Sequence, residues 1–290
     1  MVSRASALRR LIGARALTHA MAAHNPLSAR LAERAGFDAI WASGFELSAA
    51  YGVPDASLIS MTQHLDMTRA IADAVGIPVV ADLDTGHGNA VNVMHAVRSY
   101  EAAGAAAVVI EDKVFPKDTS LLAGGRQELV RVEEFQGKIK AACGARRGDL
   151  MVIARVEALI AGQGQVEAKM RGEVYAEAGA DAILIHATQG TPDEIVEFAR
   201  NWAADVPLVI VPTAYPELTE DRIAELGKIR LVIYGNHAIR AAVTAMERVF
   251  AQIRRDRGIH NADKEIVPVT HIFELQGVPE MKAREKKYLR

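Results

Sequence analysis

The stretch Pro78-Val79-Val80-Ala81-Asp82-Leu83-Asp84-Thr85-Gly86-His87-Gly88-Asn89 is an apolar run of strand length that ends in two carboxylates and then breaks on two glycines. Its near-continuous apolar residues suit a strand covered on both faces, as in a parallel sheet packed between helices. Polar residues enter only at its C-terminal end, the end at which α/β folds build their sites. The fold turns on whether this pattern repeats.

It repeats along the chain. Runs of the same kind are Leu17–Ala23, Ala39–Ser43, Pro78–Asp84, Ala106–Glu111, Met151–Glu157, Ala182–His186, Leu208–Thr213 and Leu231–Gly235. A helix-length stretch follows each. Gly36, Gly104, Gly179 and Gly227 stand where a helix ends before the next strand. Thr191-Pro192-Asp193-Glu194 reads as a capping box opening a helix to about Trp202. Eight βα units in about 250 residues match a (β/α)8 TIM barrel. The expected organisation is one α/β barrel domain over residues 1–290, with a helical extension from about 238 to 290. A doubly wound open sheet is the alternative. It is weakened for dinucleotide binding because no Gly-x-Gly-x-x-Gly follows the first strand.

The strand ends carry the chemistry. Ser43-Gly44, Asp82 with Asp84, Glu111-Asp112, Arg155 with Glu157, and His186 all fall at C-terminal ends, which converge at one barrel mouth. Strand alternation sends Asp82 and Asp84 to one face, and likewise Arg155 and Glu157. Asp82, Asp84 and Glu111 crowd three carboxylates together, and like charges that close need a cation or raised pKa values. Only oxygen donors are offered, which selects a hard ion, Mg2+ or Mn2+, held partly through water. A buried Asp–Arg–Glu network without metal is the structural alternative. His186 draws its weight from sharing the mouth with Arg155. Gly86-His87-Gly88-Asn89 reads equally as an anion cradle or as a tight βα turn. Two segments after strand ends, Gly44–Gln63 and Asp112–Val132, exceed ordinary loop length, which favours a functional role.

Composition excludes several classes. The 290 residues are 50% hydrophobic and 24% charged, unlike a disordered chain. Lys and Arg number 34 against 36 Asp and Glu, so no global positive field draws nucleic acid or an anionic membrane. The single cysteine, Cys143, excludes a disulfide framework and reads as a small packing residue. No apolar run approaches the roughly 20 residues that span a bilayer. The first 32 residues carry Arg and no acid, a faint transit-peptide signature, but a short helix from Ser3 to Ile12 accounts for them better. The expected location is cytoplasmic.

Asp82-Leu83-Asp84-Thr85-Gly86-His87-Gly88-Asn89, Glu111-Asp112-Lys113-Val114-Phe115-Pro116-Lys117 and Ala154-Arg155-Val156-Glu157-Ala158 together resemble the phosphoenolpyruvate mutase/isocitrate lyase superfamily. The likeness runs from His24-Asn25 through Trp41-Ala42-Ser43-Gly44, His186 and Gly235-Asn236-His237 to Lys287-Tyr288-Leu289. The superfamily's carbon–carbon lyases carry a cysteine in the loop after strand four, in Lys-Lys-Cys-Gly-His. Here that loop reads Lys117-Asp118-Thr119-Ser120-Leu121-Leu122, without cysteine. The mutase has Lys-Thr-Asn-Ser there, and Thr119 replaces its Asn.

The resemblance therefore implies hydrolysis of the P–C bond of 3-phosphonopyruvate to pyruvate and phosphate. It implies Mg2+, with Mn2+ or another divalent cation able to substitute, bound directly by Asp82 and through water by Asp55, Asp84 and Glu111. Ser43 and the N–H groups of Gly44 and Phe45 would grip the substrate carboxylate, and Trp41 would wall the pocket. Arg155 and His186 would bind the phosphonyl oxygens, while Lys117 and Thr119 arrive on a lid. It further implies a homo-oligomer, a dimer of dimers, in which the helix after strand eight, roughly Ala238–Arg254, swaps onto a neighbour. That amphipathic stretch would pack equally well on its own barrel. The other readings are phosphoenolpyruvate/phosphonopyruvate isomerisation, C–C hydrolysis of a 2-oxo diacid such as oxaloacetate, and an idle barrel acting as a scaffold. Strand-end charges speak against the scaffold.

Overall fold

Eight parallel strands pair in chain order and close on themselves, β1 against β8. A computed structural model of the chain describes residues 3–122, 124–187 and 190–289. The elements in order are α1 (Arg4–Ala14), β1 (Thr18–Ala23), α2 (Pro26–Arg34), β2 (Ala39–Ala42), α3 (Gly44–Ala50), α4 (Met61–Ala74) and β3 (Val79–Asp82). Then come α5 (Ala90–Ala102), β4 (Ala107–Glu111), α6 (Val132–Ala145), β5 (Met151–Val156), α7 (Gly164–Glu177), β6 (Ala182–Ile185), α8 (Asp193–Asn201), β7 (Leu208–Ile210), α9 (Glu220–Leu226) and β8 (Ile229–Tyr234). This is the (β/α)8 barrel that the alternation of runs predicts, and not an open sheet.

The barrel is filled by every second residue of its strands. Ala20 and Ala22, Ala39 and Trp41, Val80, Ala107 and Val109, Met151 and Ile153, Ala182 and Leu184, Val209, and Leu231 with Ile233 form one buried cluster. The alternate residues pack outward under the helices, as Val108, Ile110, Val152 and Ile183 do. α1 joins the inner cluster through Ala5, Leu8 and Ile12. Ser3 caps it by accepting the Ser6 N–H. Full burial of a side chain such as Leu8 contributes about 1.5–3 kcal/mol.

In β3, β4, β5 and β6 the inward series runs one step further, to a charged or titratable residue that faces the mouth. Val80 leads to Asp82, Val109 to Glu111, Ile153 to Arg155 and Leu184 to His186. An apolar floor with a charged ceiling follows from period-2 geometry. Glu111 and Arg155 are paired in register on β4 and β5.

Several strands end earlier than the apolar runs predict. Ser43, Asp84, Glu157, His186 and Thr213 lie just past β2, β3, β5, β6 and β7, where the chain has left the ladder to face the mouth. β8 begins two residues before Leu231. Asp84 has φ +48°, so strand alternation is not what brings it beside Asp82. A left-handed turn does that. Gly44–Gln63 is not one long loop, because α3 occupies its first part, with Ser43 as its cap. The capping box at Thr191 does not form. Pro192 is the N-cap of α8 and Thr191 makes no cap bond, since the helix starts one residue later than the motif requires.

Gly86, His87 and Gly88 all have positive φ, and Asn89 caps α5 with its own side chain by accepting from Val91 and Asn92. The first-turn donors are thereby engaged within the chain, which favours the tight turn over the anion cradle. A Cβ at Gly86 would lie 2.6 Å from Val93 Cγ2. Gly36, Gly104, Gly179 and Gly227 have the positive φ expected at helix ends. Cys143 on α6 donates its thiol to the Gly179 carbonyl, 3.1 Å away, as a packing residue.

The chain divides into two compact units, Met1–Ala238 and Ile239–Arg290. The second takes in most of α10 (His237–Asp256), followed by α11 (Val269–Leu275) and α12 (Val278–Tyr288). Val243, Met246 and Phe250 share a face of α10 and are exposed in the single chain. No helix among the described residues is long and apolar enough to cross a membrane.

Candidate active site

The barrel mouth holds a cleft lined by Trp41, Ser43, Phe45, Asp55, Asp82, Lys117, Thr119, Arg155 and His186, all residues singled out from the sequence. The other three lie directly behind. Gly44 N–H donates to Asp82 Oδ2 at 3.2 Å, Asp84 Oδ1 lies 2.7 Å from Lys117 Nζ, and Glu111 Oε2 lies 3.4 Å from Arg155 Nε. Gly44 packs closely against the cluster: a Cβ would lie 3.2 Å from Asp84 Oδ1 and 3.3 Å from Asp82 Oδ2, so those carboxylates would have to give way. The Ser43 hydroxyl accepts the Glu46 N–H at 3.1 Å, which fixes the first turn of α3 against the cleft.

Three carboxylates meet in a dry setting. Burial, and then the neighbouring Asp84 charge, push Asp82 up to about 7. Burial also raises Glu111, and Lys117 and Arg155 do not offset it. Burial opposes the charge on Asp84 as well, but Lys117 outweighs it and holds that carboxyl below its usual range. Lys117 reaches Asp55 too, at 3.1 Å. Burial disfavours its ammonium, yet Asp84 and Glu111 keep it protonated well above the ordinary lysine range.

This donor set fits a hard divalent cation. Every donor is oxygen, and both oxygens of buried Glu111 have no hydrogen-bond partner among the described residues. No group of three or more His, Cys, Asp or Glu among the described residues converges closely enough to hold an ion by side chains alone. The arrangement suits few direct ligands and several through water.

The opposite wall is cationic. Arg155 Nε donates to Glu157 Oε1 at 2.5 Å, and its Nη2 lies 2.9 Å from Ser120 Oγ and 3.2 Å from His186 Nδ1. Burial opposes the Glu157 charge, but Arg155 and Lys113 hold its carboxyl well below the usual range. Burial lowers the pKa of His186, and the Arg155 charge adds to that effect. Arg155 Nη2 approaches Nδ1 at 3.2 Å and Glu157 Oε1 lies 3.6 Å from the same nitrogen, so the guanidinium favours the ring proton on Nε2 and the carboxylate draws it to Nδ1. Nε2 has no partner among the described residues, which leaves it open to the cleft as a donor when it carries the proton.

The segment after β4 folds back over the mouth. Its ends are pinned by an antiparallel bridge between Lys113 and Leu129. Asp112 anchors the base, accepting from Tyr175 Oη at 2.9 Å, Glu157 N at 2.9 Å and Arg171 Nη1 at 3.1 Å. Thr119 is half-buried at the cleft, between the buried residues Lys117 and Ser120.

Sequence reasoning gave no role to Lys113, Ser120 or Thr213. Ser120 and Thr213 line the cleft, and Thr213 Oγ1 is buried without a partner among the described residues. Thr213 stands just past a strand end, the signal that found the others. Lys113 and Ser120 stand in a loop, where period-2 patterning has no purchase.

A family model described as phosphoenolpyruvate phosphomutase matches residues 8–254. The phosphonopyruvate hydrolase of Variovorax sp. (strain Pal2) is 64% identical over 285 residues, covering 98% of each chain. The phosphoenolpyruvate phosphomutase of Tetrahymena pyriformis is 43% identical over 283 residues, covering 97% of this chain and 94% of the relative. A crystal structure of phosphonopyruvate hydrolase in complex with oxalate and Mg2+ superposes with a TM-score of 0.95 at 61% identity, covering 99% of this chain and all of that one.

Proposed function

The chain belongs to the phosphoenolpyruvate phosphomutase family, and from that premise we infer that it hydrolyses the P–C bond of 3-phosphonopyruvate to pyruvate and phosphate, with Mg2+. The observation that carries the reading is 64% identity over 98% of the chain to a phosphonopyruvate hydrolase, against 43% to the Tetrahymena phosphomutase. Thr119 in the lid agrees with it, since the mutase motif has Asn at that place.

Asp82 would hold the metal directly, with Asp55, Asp84 and Glu111 holding its waters. When bound, Mg2+ supplies positive charge against the substrate's carboxylate and keto oxygens and against the negative charge that builds on the enolate.

The chain's own groups do the rest. Trp41 walls the cleft, and Ser43 with the first turn of α3 faces the carboxylate. Gly44 N–H is engaged with Asp82, which leaves Ser43 and Phe45 for that task. Arg155 and the Nε2–H of His186 bind the phosphonyl oxygens. Breaking the P–C bond sends its electron pair to carbon, giving the enolate of pyruvate. Arg155 opposes the charge that develops, the largest contribution in a site of this kind. Phosphoryl transfer passes through a loose transition state, so positioning matters more than nucleophile strength. A water oriented by the Thr119 hydroxyl bonds to phosphorus, and the enolate takes a proton at carbon to become pyruvate. Oxalate, planar with adjacent oxygens, has the shape of that enolate.

The active form is a homo-oligomer, a dimer of dimers with the helix after β8 exchanged between neighbours. The exposed row Val243, Met246 and Phe250 supports this. A cytoplasmic location belongs to the same reading and rests on the sequence, which has one cysteine and hence no disulfide framework. A dehydrogenase-coupled assay tests the function: pyruvate appearing in step with phosphate is expected, and no pyruvate from phosphonopyruvate with Mg2+ contradicts it.

A further inference from the structure

Three buried polar side chains at the mouth have no role in the chemistry above: Lys113, Ser120 and Glu157. They form one cluster. Ser120 Oγ donates to Glu157 Oε2 at 2.6 Å and accepts from Lys113 Nζ at 2.6 Å and Arg155 Nη2 at 2.9 Å. A hydroxyl has one proton and two lone pairs, so that of Ser120 is saturated. Lys113 Nζ also donates to the Asp118 carbonyl at 3.0 Å and lies 3.2 Å from Glu157 Oε2.

These bonds cross from the barrel wall to the lid. Glu157 directly follows β5 and Arg155 lies on it, while Lys113 is fixed at the base of the lid by its bridge to Leu129. Asp118 and Ser120 belong to the lid and flank Thr119. If Lys113 served the fold alone, its pairing with Glu157 would suffice. Its further bonds reach the two residues on either side of Thr119.

We propose that Lys113 and Ser120 are positioning residues that latch the lid to the barrel wall, and so fix Thr119 over the cleft and Arg155 beneath it. The inference rests on the hydrolase reading, in which the place of Thr119 decides whether water reaches phosphorus. The latch is closed in the structure, and it places Thr119 for the attack of water on phosphorus rather than for substrate binding. Its loss therefore lowers kcat more than it raises KM.

The test uses the full-length enzyme with Ser120→Ala and Lys113→Met, each checked first by thermal unfolding. Ser120→Ala leaves Lys113, Glu157 and Arg155 to pair with one another, so it serves if Lys113→Met does not fold. In Ser120→Ala kcat falls about tenfold, the worth of one such hydrogen bond, while KM changes less than about threefold. The lid is read separately by trypsin cleavage after exposed Arg126, with Mg2+ and oxalate present. Cleavage runs several-fold faster in the variants than in the parent. Equal cleavage in variant and parent overturns the latch, whatever the turnover. A parent that fails to hydrolyse phosphonopyruvate refutes the proposed function instead, and the cleavage comparison still decides the latch.

Discussion

The ammonium of Lys117 lies 2.7 Å from Oδ1 of Asp84, so a residue carried by the lid neutralises a carboxylate at the barrel mouth. The same ammonium reaches Asp55 at 3.1 Å. Asp82 and Glu111 sit outside that pairing and are pushed toward protonation by burial. Ionising both therefore calls for positive charge beyond that which Lys117 supplies.

Metal removal follows from this imbalance. EDTA abolishes turnover, and Mg2+ or Mn2+ restores it. Asp82→Ala loses more activity than Asp84→Ala, because the former is assigned a direct bond and the latter a water-mediated one. Full turnover in thoroughly metal-free enzyme would contradict the assignment.

Thr119 faces the cleft but adds little to the core, so changing it alters chemistry without unfolding. Thr119→Ala lowers kcat about tenfold through the loss of one orienting hydroxyl, at an unchanged melting temperature. Thr119→Asn depresses hydrolysis more than binding, and traces of phosphoenolpyruvate appear. Parental rates in both variants would show that the route taken by the phosphoryl group depends on other residues.

His64 gives a pH dependence of stability. Burial lowers its pKa to about 4, and Nδ1 lies 2.8 Å from the Tyr100 hydroxyl. In the unfolded chain the ring takes up a proton near pH 6.5, but in the folded chain not until about pH 4. The unfolded state therefore binds more protons between these values. The contribution of neutral His64 is full above 6.5 and is lost as pH falls toward 4, by up to about 3 kcal/mol. Denaturant titrations of the parent and His64→Gln at several pH values check this. The variant loses less stability on acidification, and an identical slope would rule out the effect.

Val243, Met246 and Phe250 make a prediction about assembly. Light scattering at micromolar concentration gives a tetramer mass, and Phe250→Glu shifts it downward. A strictly monomeric parent would refute the proposed oligomer.

The fold was legible because its logic is periodic. Each inward series is apolar until its last member, so the barrel and Asp82, Glu111, Arg155 and His186 stand out together. Thr119 and Lys117 were reached only through resemblance, since loop residues carry no period. Local signals misled at three places. Asp84 joins the cluster by a left-handed turn and not by alternation. Thr191 lies one residue too early to cap α8, because Pro192 takes the cap position. Ser43 starts a helix where a loop was expected. Lys113 and Ser120 stayed hidden because their partner Glu157 lies 44 and 37 residues ahead, joined to them only by the closure of the barrel mouth.

Phosphorus NMR of the enzyme with Mg2+ and phosphonopyruvate follows the fate of the P–C bond itself. The account predicts that the phosphonate resonance declines while inorganic phosphate grows in equal amount, with no phosphoenolpyruvate building up. A resonance converting to phosphoenolpyruvate, or one that stays unchanged, would contradict it.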